Sequence, residues 1–487
     1  MSRLSKNSVE IIENIKKEMG NSPDIIIKTI PFLDNYIHVI FNEPMSDRTT
    51  INEFVLEFFE MADKDKKKEK QIVKYIKSKM PAHKITTIST IDDLYLNLLS
   101  GFTIILVDGQ EEALSVDTKA KLNSGILPAQ AETVIKGPKD AFTENYQTNI
   151  GLIRKRLKSK HTWLEEYIIG SKNQTKVGVM YIEDIVDKQL VEMVTEKIKK
   201  INIDSILDSN YIVELISENK KNVFSDYLST ERPDVVTTHL LNGKIAIIVE
   251  NTQYVIIIPI VFVEFFHTSE DFYHKAINVN YTRIIRFFAF LITLTMPALY
   301  IAITTHNHEA IPEKLLISFS AQRSGVPFPS IVEALLMLVT FEILKESDLR
   351  IPNALGNALS IVGALVLGQA AVEANIVSQV MVIIIAITAI SGLIVSSTEL
   401  VYGIRWWRIL FILGATTIGL IGVFIVFLIF IINLNSMKSY GIPYLSPFSP
   451  FNLKNQNNGF FLTNKRKFKK RNALTAKKNI DRSAGIE

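Results

Sequence analysis

The sequence has 487 residues, a formal net charge of +4 and no cysteine. That length is enough for two or three domains. The missing thiols exclude disulfides and thiolate metal sites and fit a reducing compartment, and so small a net charge is no signature of a nucleic-acid partner. Charge is unevenly spread, however. Lys, Asp and Glu crowd the first 286 residues, whereas between Pro352 and Ile404 only Glu373 and Glu399 are charged. This contrast predicts a soluble region followed by a membrane region.

Residues 1–24 predict an N-terminal amphipathic helix, with Val9, Ile11, Ile12 and Ile15 near one face. The stretch lacks the apolar core of a secretory signal, so the soluble region is expected in the cytoplasm. Residues 25–135 predict a first α/β lobe. "NYIHVIFNE" at 35–43 reads as a strand, and "TINEFVLEFFEMAD" at 50–63 as a helix with Ile51, Phe54, Val55 and Phe58 on one stripe. The charge run "DKDKKKEKQ" at 63–71 reads as solvated surface. At 98–109, "LLSGFTIILVDG" places a β-branched run before Asp108-Gly109, a favoured two-residue hairpin turn, and "EALSV" returns.

Residues 136–172, including "NIGLIRKRLKSKH", predict a basic helical connector, and 173–262 a second α/β lobe. The second lobe repeats the first. "TKVGVMYIE" at 175–183 matches 35–43, "VDKQLVEMVTEKIKKI" at 186–201 is the matching helix, and "LLNGKIAIIVEN" at 240–251 matches 98–109. Leu98, Leu99, Gly101, Ile105 and Val107 correspond to Leu240, Leu241, Gly243, Ile247 and Val249 at a constant offset, which points to duplication. Just before the second copy stand Glu231, Arg232, Pro233 and Asp234. Pro233 fixes φ and pushes Arg232 out of the helical region. Arg232 and Asp234 suit an ion pair between lobes or subunits; alternatively Asp234 caps the helix that follows.

Residues 263–286 form a linker, 287–437 a membrane domain and 438–487 a basic cytoplasmic tail. Apolar runs at 287–304, 355–374, 376–396 and 409–437 each predict a full span. The segment 329–346 is shorter and carries Glu333 and Glu342. It reads as an interfacial or re-entrant helix whose acids meet a neighbouring Arg or Lys, or snorkel. Four crossings put both ends in the cytoplasm, in keeping with "NKRKFKKR" at 464–471. The same topology puts Arg405 and Arg408 outside, against the positive-inside rule.

Within 355–374, Gly356, Ser360, Gly363, Ala370 and Ala374 form a small-residue side suited to close helix packing. A second stripe holds Val362, Val366, Gln369 and Glu373, spaced by four, three and four. Around an oligomer axis this stripe makes two apolar rings, an amide ring and a carboxylate ring: a cation pathway with a hydrophobic constriction. It equally fits ordinary helix packing with Glu373 at the water interface. Nothing points to an enzyme or a cofactor. There is no phosphate-cradling Gly-rich loop, no nucleophile elbow and no metal-binding His pair on a helix, and His306 and His308 lack a third ligand.

The segments "TERPDVVTTHLLNGKIAIIVENTQYVIIIPIVFVEFF" at 230–266 and "EDFY" at 270–273 resemble the signature of A subunits of bacterial spore germination receptors, the GerA type. "VPFPSIVEALLMLVTFEILKESDLRIP", "LSIVGALVLGQAAVEANIVS" and "YGIPYLSPFSP" at 440–450 resemble the same family's membrane signatures. "ETVIKGPKDAFTENYQTNIGLIRKRLK" at 132–158 is similar to a further family segment, with Lys139 and Asp140 where Arg and Glu are usual. The resemblance covers about residues 90–450. It implies a non-enzymatic, multi-pass protein of the spore inner membrane, its N-terminal domain facing the spore core. The implied partners are a transporter-like B subunit, a lipoprotein C subunit and further copies of the chain, a pentamer being suspected. It implies a ligand-gated channel for monovalent cations such as potassium. A membrane-anchored signalling scaffold that does not itself conduct is the alternative.

Overall fold

The computed structural model describes residues 3–32, 35–62, 72–82, 84–122, 127–220, 222–348, 366–395, 397–451, 459–464 and 469–482, without the side chains of 54, 60–62 and 348. The chain divides into two compact units. The first comprises 1–220, 226–260 and 463–487; the second comprises 221–225 and 261–462.

The first unit holds two five-stranded antiparallel sheets. In one, β1 (Ile25–Phe32), β2 (Asn35–Asn42), β3 (Ile85–Ile88), β4 (Thr103–Val107) and β5 (Ala113–Val116) are ordered β1-β2-β4-β5-β3. In the other, β6 (Thr162–Ile169), β7 (Thr175–Ile182), β8 (Leu228–Thr230), β9 (Ile245–Val249) and β10 (Val255–Ile258) are ordered β6-β7-β9-β10-β8. The strand orders are the same, and so are the registers: Ile37 pairs with Val107 where Val177 pairs with Val249. The central strands β4, β5, β9 and β10 are buried along their whole length, as continuous β-branched runs require. Helices flank them. α1 (Ser8–Glu18) starts on an Asn7 cap, and its Ile11, Ile12 and Ile15 enter the same core as Leu98 and Ile104. The helical run 48–62, here α2, starts on an Asp47 cap and buries Ile51, Val55 and Phe59. α3 (Ile72–Lys79) packs beside it, and α4 (Ile91–Leu98) caps on Thr90.

Two expectations need correction here. The second sheet begins at Thr162, inside the stretch read as connector. Only 146–156, as α5 (Tyr146–Arg156), is helical there, because β6 pairs with β7 over its full length. The turn after β4 is also longer than two residues: Leu106 pairs with Ala113, and only Gly109 takes a positive φ, 78°. In the second lobe α6 (Lys188–Lys199) caps on Asp187, α7 (Ser209–Ile216) on Asp208, and α8 (Pro233–Leu240) begins with Pro233 in its first turn.

The second unit is helical: α9 (Ala276–Thr305), α10 (Glu313–Arg323), α11 (Ser330–Asp348), α12 (366–373), α13 (Gln379–Ile394), α14 (Thr398–Ile418) and α15 (Leu420–Ser436). Among the described residues α9 alone is long and apolar enough to cross a membrane by itself; α13 and α15 are shorter apolar helices. The run 409–437 is not one span. Gly419, at φ 67°, ends α14 and turns the chain back, so that Trp407 and Phe411 meet Phe430 at ring distances of 5.0 and 6.4 Å. In a continuous helix those rings would lie about 30 Å apart. The segment expected at the interface is the 19-residue helix α11, packed against α13 and α9.

Candidate functional sites

Arg154 on α5 anchors the junction of the two lobes. Its guanidinium, fully buried, holds the Asp24 carboxylate at 2.8 and 3.0 Å and donates to the Thr162 carbonyl at the start of β6 at 2.7 Å. Trp163 Nε1 donates to the Glu18 carbonyl (3.0 Å), and Leu164 N to Ser22 Oγ (3.0 Å). Gly20, at φ 65°, leaves room for the indole, which would overlap any Cβ there. The segment 18–24 is thereby fastened to β6. Asn149, also fully buried, joins the Thr143 amide and carbonyl at 2.7 and 2.6 Å.

The Glu231–Asp234 motif grips the segment between the lobes. Glu231 Oε1 accepts from the Ala131 and Glu132 amides, both at 2.7 Å. Arg232, fully buried, pairs in a fork with Asp234 (3.1 and 2.9 Å) and donates to the Glu132 and Pro138 carbonyls at 3.2 and 2.8 Å. The ion pair is therefore internal to the motif. The cap position of α8 is Arg232 itself, without a side-chain cap bond, so Asp234 does not act as the helix cap. Asp140 accepts from Arg156 at 2.6 and 2.7 Å. Gly243 ends α8 at φ 79°, as Gly101 ends α4 at φ 87°.

In the helical unit three carboxylates meet cations. Glu333, 1% exposed, accepts the Ser378 amide at 2.8 Å and stands 3.7 Å from Arg323. Glu342 lies between Arg405 (3.0 Å) and Arg408 (3.5 Å). Asp271 binds Arg283 (2.8 Å) and Arg286 (3.0 Å), the two arginines that precede the apolar part of α9. At the other end of α9, His306 Nε2 meets the Thr416 carbonyl at 2.8 Å, and Asn307 Oδ1 accepts the Leu420 amide at 2.9 Å. The tip of the α14–α15 hairpin thus sits beside the C-terminus of α9. Arg405 and Arg408 consequently point toward the Arg286 end, not the opposite end expected from a single 409–437 span. The Glu342 end of α11 joins them there, and its Glu333 end lies with the start of α13. Among the described residues no three His, Cys, Asp or Glu side chains cluster as a metal site.

Of the proposed pore stripe, Val366, Gln369 and Glu373 lie on α12 and are all exposed in the single chain; Val366 is 54% exposed. Ala370 and Ala374, expected in close packing, are exposed as well. Val362, Gly356, Ser360 and Gly363 lie outside the described residues. Sequence reasoning missed Arg154, Asp24, Asp271 and Asn307. For Arg154 the available signal was its place directly after the apolar run "IGLI" at 150–153.

Comparison with known proteins gives one consistent result. The family model described as Bacillus/Clostridium GerA spore germination protein matches residues 13–474. Spore germination protein KA of Bacillus subtilis (strain 168) is 38% identical over 94% of this chain and 85% of its own length. Spore germination protein GerQA of Bacillus cereus is 32% identical over 92% and 89%, and spore germination protein A1 of Bacillus subtilis is 33% identical over 82% and 86%. Among solved structures, the N-terminal domain of the A subunit of the Bacillus megaterium spore germinant receptor GerK3 matches at 28% identity. The match covers 54% of this chain and 98% of that one, with a TM-score of 0.42.

Proposed function

The chain belongs to the GerA family of spore germination proteins, as a nutrient germinant receptor A subunit, and from that premise we propose that its copies assemble around an axis lined by α12 to form a gated conduit for monovalent cations. The observation that carries this reading is the exposure of Val366, Gln369 and Glu373. Three side chains of one stripe, two of them polar, stand uncovered on a helix of the apolar unit. Glu373 closes α12 just before the turn into α13, and a carboxylate at the mouth of an aqueous axis between copies has water and cations as its partners.

In this reading the helical unit lies in the spore inner membrane with the sheet-bearing unit facing the spore core. Six passes follow if α9, α11, the segment containing α12, α13, α14 and α15 each cross. Arg283, Arg286, Arg405 and Arg408 then all fall on the inner side, as the positive-inside rule asks. The A-subunit role implies a B and a C subunit as partners, and nutrient binding in the B subunit would bias the packing of α12. The alternative, a scaffold that relays the signal without conducting, differs in one measurement. The full chain reconstituted in planar bilayers conducts potassium in the conduit reading, and Glu373→Gln lowers its cation-over-anion preference. An oligomer that passes no current, or selectivity unchanged by Glu373→Gln, overturns it.

A further inference from the structure

The C-terminal segment 469–482 folds back on the second lobe. Its backbone closes on itself where Arg471 N donates to the Ile480 carbonyl (2.7 Å) and Arg482 N to the Lys469 carbonyl (2.8 Å). Thr475 and Ala476, 3% and 0% exposed, press on the turn that ends α8. Thr475 Oγ1 donates to the Asn242 carbonyl at 2.6 Å, and Arg471 Nε to the Leu241 carbonyl at 2.9 Å. Lys477 pairs with Asp187, and Lys478 with Glu183, whose carbonyl it also reaches at 2.8 Å. A Cβ on Gly243 would stand 2.7 Å from the Thr475 carbonyl oxygen and 2.9 Å from Ala476 Cα.

The first lobe explains why a peptide sits there. Asp47 and Asp187 are matching helix caps, Glu43 and Glu183 matching strand ends, and Gly101 and Gly243 matching turn glycines. In the first lobe the chain leaving β5 crosses the turn at once. Thr118 Oγ1 meets the Gly101 carbonyl (3.3 Å), the Thr118 carbonyl accepts the Asp47 amide (2.7 Å), and Ala120 N donates to the Met45 carbonyl (2.9 Å). The crossing segment is Thr118-Lys119-Ala120-Lys121. In the second lobe the chain leaving β10 passes into the other unit at Val261, so this strap is missing from its own sequence neighbourhood. Thr475-Ala476-Lys477-Lys478 stands in its place: a threonine, an alanine and two lysines again, arriving more than 200 residues later.

We propose that Glu183, Asp187 and the Leu241–Gly243 turn form a peptide-binding site, and that its ligand is the chain's own basic segment 469–482, held in cis as an exchangeable strap. The first lobe's strap is continuous with its sheet and cannot leave. The second lobe's strap is joined to its sheet only through the whole helical unit, and its ion pairs are part-exposed, Lys477 by 54% and Lys478 by 30%, so that salt weakens them in part. Occupancy of this site is thus a state the molecule can change without unfolding a sheet. The inference is independent of the conduit reading.

The chain has no cysteine, so Thr475→Cys, close to isosteric, gives a single buried thiol. In the full chain in nanodiscs of neutral phosphatidylcholine, maleimide is expected to label it at least about tenfold more slowly than Lys200→Cys, whose side chain is exposed. Raising salt from about 50 mM to about 500 mM is expected to accelerate the labelling. So is the charge reversal Glu183→Lys/Asp187→Lys, or an excess of synthetic peptide 469–482. A peptide with both lysines replaced by Glu should not. Labelling as fast as the reference at low salt shows that no strap is bound there. Slow labelling unmoved by peptide and salt shows a fixed part of the fold and equally overturns the proposal. The peptide arm needs no altered second lobe, so misfolding of the charge-reversal variant does not blur the result.

Discussion

Gly414 on α14 and Gly422 on α15 lie back to back across the hairpin, so close that a Cβ on Gly422 would overlap the Gly414 carbonyl. The obstacle is backbone, which cannot swing aside as a side chain can. Gly422→Ala is therefore expected to destabilise the helical unit by about 1–3 kcal/mol, the usual range for overpacking. Gly368→Ala, whose new Cβ would find its nearest neighbour among the described residues at 3.9 Å, is expected to be neutral or slightly stabilising. Thermal unfolding of the two variants in detergent separates the cases; equal melting temperatures would remove the hairpin contact as a constraint.

The Arg154–Asp24 pair predicts a large and coupled effect at the lobe junction. Removing one partner strands a buried charge, so Asp24→Asn or Arg154→Met is expected to cost about 3–5 kcal/mol. Replacing both, Asp24→Leu with Arg154→Met, should cost clearly less than the sum of the single changes. Denaturant titrations of the four proteins close the cycle, and simple additivity would show that the pair does not act as a unit.

These clasps also show what the sequence could and could not disclose. The continuous apolar runs of β4 and β9 and the offset between "LLSG" and "LLNG" made the duplicated sheets legible, because core strands announce themselves by composition. Edge strands do not. β6 carries Glu165 and Glu166 mid-strand, where Glu165 accepts from Tyr181 (2.6 Å) and Glu166 pairs with Lys176 (3.3 Å). Its signal is therefore polar and reads as connector. The hairpin at Gly419 hid in an unbroken apolar run, since hydropathy records depth and is blind to direction. For α12 the sequence offered a stripe, and the structure adds that its described members are exposed.

The stripe itself gives a prediction in spores. Val366→Ala, and Val362→Ala beside it, should weaken the apolar constriction and let potassium leak or germination begin without nutrient. Potassium release from dormant spores carrying each change is the measurement. Ordinary dormancy in both would withdraw the gate from this stripe.

His239, near the end of α8, supplies a pH dependence. Its Nδ1 is buried with no hydrogen-bond partner among the described residues, and desolvation holds its pKa well below the ordinary histidine value, with Lys244 adding to the effect. The folded state therefore resists the proton while the unfolded chain accepts it near pH 6.5. Stability is full above that value and falls as pH drops below it, by at most about 1.4 kcal/mol per unit. Unfolding midpoints between pH 7.5 and 5 should decline accordingly, and His239→Gln should flatten the decline. An unchanged slope in the variant would assign the acid limb to other groups.

Glu342 and Glu373 are both carboxylates of the apolar unit, yet they should fail in opposite ways. Glu342 neutralises Arg405 and Arg408, the second only 9% exposed, so Glu342→Gln leaves these two cations, with Lys345 beside them, without their counter-charge. The expected result is a melting temperature lowered by several degrees, about 2–4 kcal/mol, partly restored when Arg408 is also changed to Met. Glu373 is exposed in the single chain, so Glu373→Gln should leave the melting temperature alone and alter ion preference instead. Measuring both properties in both variants tests the division of labour directly. If Glu342→Gln changes selectivity while stability holds, the charged contact between α11 and α14 belongs to the ion path, and the axis must be sought there in place of α12.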